Sequence, residues 1–125
     1  MIGNLQCVVL DCPDVLSLAQ FYRSIAGGII NKPDPRWDVS ADFATLHTGT
    51  GFILAFQRAE DHRPPRWPDP AHPQQSHLDF AVTDLEQAHS DVLGLGAKLL
   101  DRGEDDRCWR VYADPAGHPF CLVWE

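Results

Sequence analysis

His77 and Asp79 stand two residues apart in the stretch SHLDFAV, residues 76–82. On a strand, alternation puts both side chains on one face, where a carboxylate can orient or charge an imidazole for acid–base work. Such a neighbouring Asp is also common on strands that carry no chemistry. Four cysteines, Cys7, Cys12, Cys108 and Cys121, show no CxxC spacing, which argues against a zinc ribbon and against a thioredoxin-like pair. Each reads first as a small buried hydrophobe. Trp37, Trp67, Trp109 and Trp124 can wall a pocket for a flat or apolar ligand, or serve as ordinary packing. His62 and His72 fall in a proline-rich stretch and His118 in a turn. With no Gly-rich phosphate loop and no Ser-centred nucleophile elbow, nucleotide-dependent and triad hydrolase chemistry are disfavoured.

The elements that must position these residues come in two copies. Residues 5–30 and 75–100 share a hydrophobic layout at a constant offset that sets Asp14 on Asp84 (84 − 14 = 70) and Cys7 on His77. Val15, Leu18, Ala19, Tyr22, Ile25 and Ala26 form one face of an amphipathic helix, and Leu85, Ala88, His89, Val92, Leu95 and Gly96 repeat it. Strands over Leu5–Leu10 and Leu78–Val82 precede the helices, each closed by an Asp able to cap the first helical turn. Asp84 with Gln87 reads as a capping box. Short strands follow at Gly28–Ile30, Ala41–Leu46 and Gly51–Gln57 in the first copy, and at Ala97–Leu100, Trp109–Ala113 and Pro119–Trp124 in the second. Each half is thus β-α-β-β-β: residues 1–57 and 76–125, joined by a Pro-rich linker, 58–75, and expected to make one domain. The linker reads as extended, stiff chain. Trp67 at its centre either staples it to the body or forms a lid over a ligand.

The chain has 125 residues and a net charge of −8, with no Lys/Arg cluster, so nucleic acid is an unfavourable partner. No apolar run approaches the roughly 20 residues that span a bilayer, so no membrane partner is expected either. The N-terminal stretch lacks the basic start and apolar core of a signal peptide, and the expectation is a cytoplasmic protein with reduced thiols.

Two tandem β-α-β-β-β halves, with strand-Asp-helix openings at Val8–Tyr22 and Leu78–Val92 and a closing DPAGHPFCL at residues 114–122, resemble the vicinal oxygen chelate superfamily, the glyoxalase, bleomycin-resistance and extradiol-dioxygenase group. LAFQ at 54–57, the RWP of the linker and the GHPFCL ending are similar to a glyoxalase-like branch without an assigned reaction. The resemblance implies an α+β fold whose tandem modules form an open, curled mixed β-sheet around a central pocket. It also implies metal ligands on the first and last strands of each half, and pairing as a homodimer.

Carried over, the first-strand ligand positions are Cys7 and His77, seven residues before each capping Asp. The last-strand position of the second half is Cys121, and that of the first half is Ala55, with Gln57 on the same strand face. Metal-using relatives present His or Glu at most of these places; here the set holds no carboxylate. No cofactor is therefore expected, although a divalent metal on His77, Cys7 and Cys121 is chemically possible. The function implied is binding or sequestration of an apolar or aromatic small molecule by Cys7, Gln57, His77 and Cys121, with Trp67 or Trp109 covering the pocket. The alternative is a divalent-metal-dependent lyase, isomerase or dioxygenase. His77 is then a pocket hydrogen-bonding group or a satisfied structural histidine.

Overall fold

A computed structural model describes residues 1–125, which divide into two compact units, Met1–His62 and Arg63–Glu125. In the first unit the order is β1 (Val8–Cys12), α1 (Val15–Ala26), β2 (Ile29–Ile30), β3 (Phe43–His47) and β4 (Ile53–Arg58). In the second it is β5 (Leu78–Val82), α2 (Leu85–Gly94), β6 (Lys98–Asp101), β7 (Trp109–Ala113) and β8 (Pro119–Trp124). The sheets run β1-β4-β3-β2 and β5-β8-β7-β6. In each, the strand before the helix pairs parallel to the last strand and the other pairings are antiparallel. Both are open four-stranded mixed sheets, so the fold is α+β with a repeated module.

The repeat survives as geometry. β1 and β5 keep the offset of the sequence match (78 − 8 = 70), whereas the closing hairpins lie at a slightly shorter one (119 − 53 = 66). Asp14 accepts from the Ser17 amide at 3.1 Å and Asp84 from the Gln87 amide at 3.0 Å, so both helices start where a carboxylate meets free N–H groups. The capping box is half made, because the Gln87 side chain bonds Asp91 at 2.9 Å instead of reaching back to the cap.

Each sheet has one face under its helix. In the first unit that face carries Leu10, Cys12, Ala44, Leu46 and Phe56, all buried, and Tyr22 of α1 stacks on Phe56 with ring centroids 6.0 Å apart. Burying a side chain of that size contributes roughly 1.5–3 kcal/mol. In the second unit Phe120 stacks on Tyr112 at 5.5 Å, but α2 meets the sheet largely through polar groups. His89 Nδ1 lies 2.8 Å from the Tyr112 hydroxyl, and Arg110, only 7% exposed, donates to Glu86. That is why Val92 alone is buried on a helix whose spacing predicts a fuller apolar face.

Several expected strand bounds shift by one to three residues, and the Pro-rich segment differs in kind. The first strand runs from Val8, not Leu5, because its partner β4 begins at Ile53 and the residues before Val8 have no strand to pair with; Leu5 is 89% exposed. The Pro-rich segment is a set of turns rather than extended chain: the Arg66 amide bonds the His72 carbonyl at 2.8 Å, and Asp69 accepts from the Ala71 amide at 2.9 Å. Asp and Pro together favour such turns.

Candidate functional site

The face of the second sheet turned away from α2 brings together three groups with acid–base or metal-binding capacity. β5 and β8 run parallel with Asp79 opposite Cys121, and His77 stands just before β5 on the same side by alternation. His77 Nε2 lies 3.5 Å from Asp79 Oδ1, and the donor atoms of His77, Asp79 and Cys121 all fall within 4.8 Å of one another. His77 and Asp79 are exposed, while Cys121 is buried at 7% exposure. Burial pushes the Cys121 thiol up to about 11, and the negative charge and hydrogen bond of Asp79 push it the same way. At neutral pH Cys121 is therefore a protonated thiol, set beside Asp79 and His77.

Val111 lies opposite Cys121 on β7, and alternation puts Trp109 on the same face, 42% exposed. The Arg107 guanidinium sits 4.8 Å from the Trp109 ring and is held by Asp101 at 3.1 Å. The floor of this face is apolar, its tips are polar, and an aromatic ring stands at its edge.

The remaining sequence candidates belong to other elements. Cys7 is half-buried just ahead of β1, and Gln57 is exposed on β4 between Asp11 and Phe43, both in the first unit. Ala55 is fully buried between Val9 and Thr45 and offers no donor. Trp67 is half-buried in a turn of the Pro-rich segment. Asp79 joins His77 and Cys121 in this cluster, because the parallel β5–β8 register sets it directly against Cys121. The His-x-Asp spacing was the signal, and counting ligand positions alone passed over it. A cavity of about 450 Å³ opens on the other side of this unit, bordered by Glu86, Arg102, Arg107, Arg110 and Trp124 and by none of the three clustered residues.

A family model described as a glyoxalase-like domain matches residues 7–123. The chain belongs to the glyoxalase-like domain family. A search of curated protein sequences finds no match. Among solved structures, a glyoxalase/bleomycin resistance protein/dioxygenase family enzyme from Burkholderia phytofirmans is similar at TM-score 0.72 and 17% identity, covering 98% of each chain. A mutant of the fosfomycin resistance protein FosX from Listeria monocytogenes, complexed with Mn(II) and 1S,2S-dihydroxypropylphosphonic acid, matches at TM-score 0.71 and 14% identity, with 98% of this chain and 93% of that one covered. The bleomycin-binding protein of Streptomyces verticillus, complexed with copper(II)-bleomycin, matches at TM-score 0.58 and 20% identity, over 100% of this chain and 99% of that one. These likenesses show the glyoxalase-like fold.

Within this glyoxalase-like chain the donor set suits a metal of the zinc type, which accepts thiolate, imidazole and carboxylate together. Its one soft donor, however, holds its proton well above neutral pH, and an incoming ion has to displace it.

Proposed function

We propose that this glyoxalase-like protein binds a small apolar or aromatic molecule on the sheet face carrying His77, Asp79, Cys121 and Trp109, without a divalent metal at its centre. What supports this reading is the placement of Cys121, a buried thiol set against Asp79 by the parallel β5–β8 register, where burial and Asp79 both favour its protonated form. In that state the cluster is a hydrogen-bonding surface. Asp79 accepts, His77 donates or accepts, and the thiol with Val111 forms a largely apolar floor. Trp109 offers a ring for stacking. Asp79 and the net charge of −8 favour a ligand with a cationic group.

Thermal-shift titration with benzylamine, an aromatic cation, tests this. Wild-type protein gains Tm with concentration, and Asp79→Asn and Trp109→Ala lose the gain. A gain of equal size in all three proteins counts against the proposal.

One observation favours a second reading. Three donors within 4.8 Å support a divalent metal held by His77, Asp79 and Cys121, in a lyase, isomerase or dioxygenase of the vicinal oxygen chelate type. A metal there supplies Lewis acidity to a substrate oxygen. The protein's own part is to hold the ion and to give up the Cys121 proton on loading.

A further inference from the structure

The cavity of about 450 Å³ in the second unit lies where α2 begins, on the sheet face that this helix covers. Tyr112 and Phe120 fill that face under α2, and alternation along β7 and β8 puts Arg110 and Trp124 on it as well. The first turn of α2 and the loop of residues 102–108 complete the walls. Small-molecule pockets commonly hold about 300–1,000 Å³, so a compound of amino-acid size has room here. None of His77, Asp79 and Cys121 borders the cavity, and it lies on the opposite side of the sheet from them.

Charges of both signs face this space, and only some are neutralised within the chain. Arg110, 7% exposed, donates to Glu86, whose side chain is 70% exposed. That hydrogen bond, together with the charges of Arg110 and Arg102, holds the Glu86 carboxyl below its usual range. Arg107 is taken up by Asp101 at 3.1 Å. Arg102, Glu104 and Asp105 make no ion pair, and Trp124 adds a ring that is 58% exposed.

The first module packs its helix without such groups. Arg110 corresponds to Ala44 (110 − 44 = 66), fully buried, and Glu86 to Leu16 (86 − 16 = 70). A guanidinium under a helix is costly to desolvate, and its pair with an exposed carboxylate is weak evidence of a stabilising role. The polar wall belongs to one copy only and borders a space large enough for a ligand.

We infer that this cavity binds a zwitterion of the free α-amino-acid class with an apolar side chain. The ligand carboxylate takes Arg102, the guanidinium left unpaired, since the guanidinium fork matches a carboxylate. Its ammonium takes Glu104 and Asp105, the unpaired carboxylates, and its side chain covers Trp124. Arg110 and Glu86 are positioning residues that hold the start of α2 against β7. A ligand of no net charge escapes the long-range repulsion that a protein of charge −8 exerts on an anion. This site stands independently of the proposal made for His77, Asp79 and Cys121.

L-Phenylalanine, 3-phenylpropionate and 2-phenylethylamine share a ring, and the last two each lack one charged group of the first, so they serve as probes. Full-length ¹⁵N-labelled protein is followed by the indole ¹H–¹⁵N signals of its four tryptophans, with Trp124 assigned by its loss in Trp124→Phe. The expected result is a saturable shift of the Trp124 indole with phenylalanine, and affinity about tenfold or more lower for either single-charge probe, the effect of one lost charged contact. Arg102 is exposed, so Arg102→Gln leaves the core alone. That variant loses about tenfold in phenylalanine affinity and none for 2-phenylethylamine, which has no carboxylate to lose. No saturable shift at Trp124 overturns the inference, as do equal affinities for the three probes or unchanged phenylalanine affinity in Arg102→Gln. If Trp124→Phe fails to fold, calorimetric titration of wild type and Arg102→Gln with the three probes still decides. Asp79→Asn, which abolishes the benzylamine response, leaves phenylalanine binding intact, so the two proposals fail separately; loss of phenylalanine binding in Asp79→Asn also overturns the inference.

Discussion

Burial and the Asp79 carboxylate act on the Cys121 thiol in the same direction, and the pH dependence that follows has a definite sign. The folded state holds the thiol proton to about 11, while the unfolded chain releases it near 9. The contribution is fully present below the unfolded value. As pH rises from about 9 through about 11 the unfolded state binds fewer protons than the folded one, and this part of the stability is lost. Asp79→Asn removes the charge and leaves the burial, so it lowers the thiol pKa part of the way. Alkylation of Cys121 by iodoacetamide, followed by mass spectrometry against pH, is expected to begin at lower pH in Asp79→Asn than in wild type. Coincident profiles contradict the account. At this scale the sequence was informative where neighbours are close along the chain, as with His77 and Asp79. Asp34 and His47 come together across a proline-broken loop and a strand. His47 falls between the expected strands Ala41–Leu46 and Gly51–Gln57, with nothing local to tie it to Asp34.

At the scale of elements, capping and turn chemistry were the most legible signals. Asp14 and Asp84 cap where the residue types predict, and the last hairpin turns on Asp114-Pro115-Ala116-Gly117-His118, with Asp114 Oδ1 accepting from the Ala116 and His118 amides at 2.8 and 3.0 Å. Boundaries were less legible because pairing sets them; β1 begins where β4 gives it a partner. Gly28 shows how tightly one join is made. Its φ is 105°, and a Cβ there would run into the backbone carbonyl of His47. Gly28→Ala is therefore expected to destabilise the protein by about 2 kcal/mol or more. Urea unfolding measures it, and a change below about 0.5 kcal/mol, the usual surface-substitution range, contradicts the packing described.

For the whole molecule, the two modules share a scaffold and carry different surfaces. The first sheet keeps Thr45 and His47 where the second has Val111 and Ala113; the second keeps Cys121 where the first has Ala55 (121 − 55 = 66). Periodicity preserved both scaffolds, so the fold was readable. The cluster depended on β5–β8 register, which no single segment encodes. The central claim is that a neutral thiol, an imidazole and a carboxylate act here as a ligand-binding surface and not as a metal centre. Elemental analysis of protein purified without an affinity tag or added metal tests it most directly. The account predicts no stoichiometric divalent metal in wild type and no change in metal content in His77→Ala. An equivalent of zinc, iron, nickel or manganese that disappears in His77→Ala contradicts it and favours the metal-dependent reading.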